Sequence, residues 1–244
     1  MLSAYDWLGQ RFGHTLQRLA SGTLLLTRLL AEAVRLFAGM LPLAGILAAL
    51  HFSLSAPVLL AAIMILTLAY TLQGGLRAVV WSDSIQFAVY LGGSLACAAL
   101  LWHAAPPGTL DMLHEAGRFN LFTHHAPAFT SPFTPLAAIG GGAVLSLASH
   151  GTDQLMVQRV LAARSLRDAR LALMGSAIGA GLLFSLLSLV GVLLWVHHGG
   201  VSAAQAGFTR TDAIFPAYIA QDLPSGLRGL MLAAILAATM GSLS

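Results

Sequence analysis

The chain contains no lysine and few charged residues of any kind. Only 9% of its 244 residues are charged and 57% are hydrophobic, whereas soluble domains carry about 25% charged residues. All 12 basic residues are arginines, and we attribute this excess to coding bias. A DNA-binding protein would cluster such charges on a soluble face. The composition therefore excludes an ordinary soluble domain and indicates a membrane protein.

Cysteine is almost absent as well. Cys97 is the only one and lies inside an apolar stretch, which excludes a disulfide framework or a cysteine metal site within one chain. The sequence also shows no phosphate-binding loop, nucleophile elbow or pair of catalytic carboxylates. We therefore expect neither an enzyme nor a cofactor-binding protein.

Long apolar stretches are what the sequence does contain, and a membrane-spanning helix needs about 20 mostly apolar residues. Candidate spans are residues 22–50, 56–72, 81–105, 134–149, 171–196 and 227–244. Turn signals separate several of them: Ser55-Ala56-Pro57, Gly74-Gly75, Pro106-Pro107-Gly108 and Leu223-Pro224-Ser225-Gly226. The pattern predicts an all-α polytopic membrane protein of about six transmembrane helices.

The arginines orient this bundle through the positive-inside rule. In the six-span arrangement one side carries Arg11, Arg18, Arg77, Arg159, Arg164, Arg167 and Arg170, and the other carries Arg118, Arg210 and Arg228. We therefore predict an inner-membrane protein with both ends of the chain in the cytoplasm. Residues 1–21 form a cytoplasmic or interfacial segment, residues 22–244 form one six-helix membrane domain, and the outer loops lie near 106–133 and 197–226.

Charged residues also occur inside the first span. Glu32 lies four residues after Arg28 and three before Arg35, a spacing that places all three on one helical face. The carboxylate can neutralise part of the cost of burying two guanidinium groups. Two interpretations stay open: an ion pair packed near the interface, or the lining of a path for anions.

The fourth span contains three consecutive glycines, Gly140, Gly141 and Gly142. Each disfavours a continuous helix by about 1 kcal/mol relative to alanine. A helix weakened in this way can unwind beside a cavity and free backbone groups for a ligand. The alternative is close helix packing through small residues. Ser146 and Ser149 follow at a spacing that places them on one face.

Four segments in order resemble the sodium/solute symporter family. They are residues 3–13 (SAYDWLGQRFG), 73–87 (QGGLRAVVWSDSIQF), 151–159 (GTDQLMVQR) and 237–244 (AATMGSLS). The resemblance implies part of an inverted-repeat (LeuT-like) transporter fold, matching helices three to eight of its ten-helix core. We therefore expect the sequence to be truncated at both ends.

The resemblance also implies a cation site. In the family one helix supplies an alanine carbonyl and two adjacent hydroxyl residues to sodium, and the matching positions here are Ala238, Gly241 and Ser242. Because Gly241 replaces a hydroxyl residue, coupling to sodium or to protons stays open. Asp83 matches an aspartate on the inner cation release path. Its alternative interpretation is a helix-start carboxylate that the helix dipole favours.

The resemblance further assigns the substrate side of the protein to Gly140, Gly141, Gly142, Ser146 and Ser149. Sugar-carrying members have an aromatic pair where this chain has Ser149 and His150, which argues against a hexose. Asp153, Gln154 and Arg159 are expected to form a structural hydrogen-bond network.

Together these features predict a secondary active transporter that couples a small organic solute to a cation, sodium being expected, by alternating access. The expected partners are that solute, the sodium ion and the lipid bilayer, with no nucleic acid and no metal site other than the sodium site. The chain itself is expected to be an incomplete, inactive fragment. Two alternatives stay open: a membrane-embedded haem or redox protein using His51 and His103, and a structural membrane fragment without transport activity.

Overall fold

The computed structural model describes residues 4–52, 54–120, 134–149, 157, 160 and 163–241. The regular structure within them is helical. The helices are α1 (Ala4–Phe12), α2 (His14–Ala49), α3 (Ala56–His103), α4 (Thr109–Glu115), α5 (Pro135–Leu147), α6 (Leu166–His197), α7 (Ile214–Gln221) and α8 (Ser225–Gly241). A short 3-10 turn, Thr211–Ala213, leads into α7.

Several helix boundaries follow local chemistry that the sequence shows. α3 begins after Ser55, which is extended, and has a proline in its first turn, where the missing N–H costs nothing. α5 begins after Thr134, whose hydroxyl accepts a hydrogen bond from the Ala137 N–H at 3.2 Å. The predicted turns at Ser55-Ala56-Pro57, Pro106-Pro107-Gly108 and Leu223-Pro224-Ser225-Gly226 are confirmed as helix boundaries.

The predicted reversal at Gly74-Gly75 is different. α3 continues through this pair as one helix from Ala56 to His103, so the expectation of a turn there is wrong. Two glycines disfavour a helix by about 1 kcal/mol each, and the flanking helical segments are long enough to outweigh that cost.

Six helical stretches of ten residues or more in the described residues are strongly apolar. Three are long and apolar enough to cross a membrane: His14–Ala49, Val80–His103 and Leu166–His197. Three shorter apolar stretches are Ala56–Ala69, Pro135–Leu147 and Ser225–Gly241. Large apolar side chains are exposed on them, such as Leu29, Ile139 and Phe184. Surfaces of this kind are typical of proteins that face lipid or other membrane helices.

The chain divides into two compact units. Unit 1 comprises residues 1–20 and 106–182, and unit 2 comprises residues 21–105 and 183–244. Within unit 1, α1 packs against the start of α2, where Gln17 Nε2 donates a hydrogen bond to Asp6 Oδ1 at 3.2 Å. Unit 2 contains α3, α7, α8, most of α2 and the second half of α6.

The core of unit 2 is built where these helices meet. Its most buried side chains are Ile46, Ile63, Cys97, Leu193, Ile219 and Leu223. A second cluster of Met40, Leu43, Leu59 and Ile63 joins α2 to the first part of α3. Between membrane helices, close van der Waals packing rather than exclusion of water supplies much of the stabilisation, so these contacts depend on shape.

Glycines allow α8 to approach its neighbours closely. A methyl group at Gly93 of α3 would press on the Met231 sulfur, and one at Gly241 of α8 would overlap Gln86 of α3. Residue numbers fall along α3 as they rise along α8, so the two helices run antiparallel. This pairing places the end of α8 beside the polar part of α3.

A similar contact joins α2 to α8 and gives a first prediction. A methyl group at Gly39 would lie 2.6 Å from Thr239 Cγ2 and 2.9 Å from Thr239 Cβ. The Gly39→Ala variant must therefore separate the helices, and we expect it to lower the free energy of unfolding by about 1–3 kcal/mol. Thermal unfolding in detergent measures this loss.

Gly22 on the same helix provides the matched control, since in the described part of the chain no atom outside its own stretch of helix lies within 4 Å of its added methyl group. We expect the Gly22→Ala variant to be as stable as the parent or slightly more stable, because alanine is the better helix former. Equal unfolding temperatures for the two variants would contradict the close contact at Gly39.

Candidate cation site

The last turn of α8 meets α3 at a small polar cluster formed by Asp83, Gln86 and Gly241, which we call the Asp83 cluster. A methyl group added to Gly241 would lie 3.2 Å from Asp83 Oδ1 and 3.3 Å from Gln86 Cδ, and it would overlap Gln86 Oε1. Two side-chain oxygens of α3 therefore converge on the backbone of α8. All three residues are half-buried.

The orientation of the Gln86 amide is fixed within α3. Its Nε2 donates a hydrogen bond to Ser82 Oγ at 3.0 Å, and its Oε1 faces Gly241. Asp83 and Gln86 are three residues apart, so they lie on neighbouring positions of one helical face. The nitrogen of the amide is therefore occupied within α3 while the oxygen points to α8.

The placement of Asp83 decides between two interpretations of its carboxylate. Because α3 begins at Ala56, Asp83 lies in the interior of the helix and gains nothing from the dipole at a helix start. A carboxylate in an apolar helix needs a cation, water or a donor nearby. Arg77, its nearest neighbour of opposite charge in the sequence, belongs to the part of α3 whose side chains are outside the described residues.

The structure brings together some of the residues predicted for the cation site. Gly241 lies beside Asp83, and Ala238 is half-buried one turn earlier on α8. Ser242 lies outside the described residues. Between these positions Thr239 is buried and its hydroxyl donates to the Ile235 carbonyl at 2.9 Å. The assignment of these residues to a cation stays a prediction.

The predicted substrate-facing residues lie on α5, in unit 1. The helix is continuous through Gly140, Gly141 and Gly142, and in the described part of the chain nothing lies within 4 Å of a methyl group added to any of them. The structure therefore shows neither the unwinding nor the close packing considered from the sequence. Ser149 donates to the Ser146 carbonyl at 3.3 Å. Their substrate-facing role stays a prediction.

The predicted structural network cannot be placed in the same way. Asp153, Gln154 and Arg159 lie outside the described residues, as does His150. Their roles stay predictions from the sequence.

The charged residues of α2 pair as their spacing indicates. Glu32 Oε1 accepts a hydrogen bond from Arg35 Nη1 at 2.7 Å and lies 3.3 Å from Arg28 Nε. The other carboxylate oxygen, Oε2, is buried and has no hydrogen-bond partner in the described residues. One carboxylate thus neutralises part of two guanidinium charges in the middle of an apolar helix.

The structure also contains a cavity that the sequence did not predict. A cavity of about 680 Å³ lies between α2, at Pro42 and Gly45, and the segment that carries Arg210, Asp212 and Phe215. Arg210 donates two hydrogen bonds to Asp212, at 3.1 Å from Nε and 2.7 Å from Nη2. These hydrogen bonds and the charge of Arg210 lower the pKa of Asp212. The lining of this mostly apolar cavity therefore includes an ion pair, together with the polar side chain of Gln221.

A family model for the sodium:solute symporter family matches residues 2–244, nearly the whole chain. The chain belongs to this family. Among its relatives, the human sodium/iodide cotransporter is 30% identical over 181 residues, covering 72% of this chain and 28% of that protein. The sodium/sialic acid symporter of Proteus mirabilis is 26% identical over 246 residues, covering 99% of this chain and 48% of that protein.

A solved structure of a Na⁺-coupled sialic acid symporter in a substrate-bound outward-open state is also similar. It is 26% identical, with a TM-score of 0.75 over 98% of this chain and 49% of that one. The chain is therefore a multi-pass membrane protein with part of the inverted-repeat (LeuT-like) transporter fold. It spans less than half the length of the curated relatives described above.

Membership of the symporter family bears on how the Asp83 cluster is interpreted. Its relatives are transporters rather than enzymes. The Asp83 cluster is a polar site within an apolar helix of a chain from this family, and intramembrane polar groups commonly mark ion paths. Gln86 is not among the site residues predicted from the sequence, although its spacing from Asp83 places it on the same helical face. What the sequence could not show is that α8 leaves room for it at Gly241.

Proposed function

We propose that the protein to which this chain belongs is a secondary active transporter that couples a small organic solute to sodium by alternating access. The observation that carries the proposal is the convergence of Asp83 and Gln86 of α3 on Gly241 of α8, in a chain of the sodium:solute symporter family. Hard cations take oxygen ligands, and both side chains offer oxygen at one place in an apolar helix pair.

The proposed cation site follows the positions implied by the family resemblance. Ala238 and Gly241 of α8 contribute together with the next residue in the sequence, Ser242, and Asp83 lies on the inner release path. The carboxylate offsets part of the free energy that the ion loses with its hydration shell. Sodium is proposed as the coupling ion. Because Gly241 has no hydroxyl, protons are the alternative, and the uptake experiment below distinguishes the two ions.

The proposed solute is small and is not a hexose. Ser149 and His150 stand where sugar carriers have an aromatic pair, and an aromatic platform is a common way to bind the apolar face of a sugar ring. Named relatives include symporters of sialic acid, mannose and iodide. Gly140, Gly141, Gly142, Ser146 and Ser149 are proposed to face the solute.

The membrane arrangement belongs to the same proposal. The protein lies in the inner membrane, and the positive-inside rule places its arginine-rich segment, residues 159–170, in the cytoplasm. This orientation does not use the reversal at Gly74-Gly75, because α3 continues through that pair. Residues 22–244 form one membrane domain. In inverted-repeat transporters the binding sites lie at the interface of two repeats. Because this chain spans less than half the length of the relatives described above, we expect it to be inactive when produced alone.

Uptake measurements test the proposed function. Cells that produce the natural reading frame in which this chain occurs are expected to accumulate a labelled solute in sodium medium and not in choline medium. The panel comprises sialic acid, iodide, myo-inositol, mannose and glucose, and we expect no accumulation of mannose or glucose, because both are hexoses. A collapse of the sodium gradient by an ionophore is expected to stop accumulation, because the gradient supplies the free energy.

Two controls complete this test. Cells producing residues 1–244 alone are expected to show background uptake, and sodium-driven uptake by them would contradict the proposed inactivity. Uptake that follows a pH gradient and ignores sodium would show that the coupling ion is the proton. Uptake that follows neither gradient would overturn the proposed symport.

The haem alternative has no specific support in the structure. His51 follows the end of α2 with a positive φ of 65°, and His103 is the last residue of α3. Both are exposed. An absorbance spectrum of the purified protein without a Soret band is the expected result.

A further inference from the structure

We propose that His197 and Asp222 form a latch, strengthened by acid, that ties the end of α7 to the end of α6. His197 is the last residue of α6, and Asp222 directly follows α7. The imidazole Nε2 lies 3.9 Å from the carboxylate oxygen Oδ2. This latch lies near the start of α8, whereas the Asp83 cluster lies at its last turn. The proposal therefore goes beyond the proposed function and does not depend on the solute or on the coupling ion.

The first observation is that two helix ends meet at this imidazole. The His197 ring also packs edge-on against Tyr218 in the last turn of α7, with 5.5 Å between the ring centroids. The C-terminal end of a helix carries partial negative charge, and α6 and α7 both present that end here. Asp222 adds a carboxylate. A positive charge on His197 therefore interacts favourably with two helix ends and turns its contact with Asp222 into an ion pair.

The second observation concerns the neighbouring histidine. The His198 ring packs edge-on against the His197 ring, with 5.3 Å between the centroids, and its Nε2 is buried without a hydrogen-bond partner in the described residues. Two protonated rings at this distance would repel each other. Because the Asp222 carboxylate approaches the ring of His197, we assign the proton that strengthens the latch to His197.

Other ionisable groups near the latch keep their charge between pH 5.5 and pH 7.5, the range of the test below. Arg228 of α8 is positive throughout and donates from Nη2 to the Leu223 carbonyl at 3.0 Å. Tyr218 stays neutral, because burial raises its pKa. Cys97 of α3 belongs to the same buried cluster, and thiols ordinarily titrate above this range. Since a histidine ordinarily gains its proton near pH 6.5, the pH dependence of this place comes from the imidazole.

The third observation is that the latch is open to water and adjoins the cavity of about 680 Å³. The side chains of His197 and Asp222 are 32% and 45% exposed, so protons reach them directly. Gln221, which precedes Asp222, lines the cavity, and so does Phe208, which packs edge-on against His198 at 5.3 Å. In the proposed orientation α6 ends on the outer side. Acid outside the cell then holds this wall of the cavity in place, and the hold weakens as the pH rises through about 6.5.

Hydrogen exchange of the α7 backbone tests the latch, because exchange reports local opening of a helix. The protein in its natural reading frame is purified in detergent, and exchange of residues 214–222 is measured at pH 5.5 and pH 7.5. Each rate is divided by the intrinsic rate at that pH. A partly exposed ion pair gives a modest gain, so we expect α7 to be about two- to fivefold better protected at pH 5.5.

Variants assign the effect to the two residues. His197→Gln and Asp222→Asn each keep a polar side chain of similar size, and each is expected to remove the pH dependence of α7 exchange. His197→Arg carries its positive charge at both pH values, so protection is expected to be high at both. His114→Gln is the matched control, because His114 is an exposed histidine in the last turn of α4, and it is expected to behave like the parent.

Three results would overturn the latch. The first is equal protection of α7 in the parent at the two pH values. The second is a pH dependence that persists in His197→Gln or in Asp222→Asn, since neither variant can form the ion pair. The third is a pH dependence that His198→Gln abolishes and His197→Gln leaves intact, which would assign the proton to the other ring. Because no result requires transport, the test is separate from that of the proposed function.

Discussion

Replacing Asp83 with asparagine is expected to remove most of the sodium dependence of uptake. Asparagine keeps the shape and one oxygen of the side chain but removes the negative charge that offsets the cation in an apolar helix. Interactions with charged groups are worth about 1.5–3 kcal/mol, which corresponds to roughly a tenfold to hundredfold loss of apparent sodium affinity. Uptake by cells that produce the natural reading frame with this substitution is measured against sodium concentration. Together with ²²Na⁺ binding it gives the loss of sodium affinity.

A matched control is available on α4. Asp111 is exposed in the first turn of that helix, so Asp111→Asn removes the same charge without touching the Asp83 cluster. We expect its sodium dependence to equal that of the parent. If Asp83→Asn folds, as shown by its elution from a sizing column, and keeps the parent's sodium affinity, Asp83 is not part of the cation path.

The helices of this protein could be predicted because apolar stretches, prolines and turn residues act locally. Pro57 and Thr134 lie at helix starts that the structure confirms. Gly74-Gly75 was misjudged because a glycine pair lowers helix stability without forbidding a helix. The continuous α3 in turn removes the helix-start explanation for Asp83, which shows how a local error affects the interpretation of a site.

The candidate site was only partly predictable, since it joins residues that are distant in sequence. The family resemblance supplied Asp83 and Gly241 separately, and the loss of a hydroxyl at 241 counted against sodium. Only the packing of α8 on α3 shows that Gln86 fills the same space. No periodicity in either segment contains this information, because it depends on how closely two helix backbones approach.

The second large effect is expected at Glu32. Its Oε1 contacts both Arg35 Nη1 at 2.7 Å and Arg28 Nε at 3.3 Å, near the middle of the apolar helix α2. The Glu32→Gln variant leaves two guanidinium charges without a counter-charge. On insertion scales an uncompensated arginine at a helix centre costs about 2.5–3.5 kcal/mol. We therefore expect a severalfold fall in the fraction of protein that resists extraction from membranes by alkaline carbonate.

The triple variant R28M/E32Q/R35M separates the two interpretations of this ion pair. Because it removes all three charges and keeps long apolar side chains, we expect membrane insertion to recover to the parent level. If the arginines serve only packing, uptake recovers as well. If they line a path for anions, the triple variant inserts normally but loses uptake of anionic solutes. Normal insertion of Glu32→Gln alone would show that the carboxylate contributes nothing to holding the arginines in the membrane.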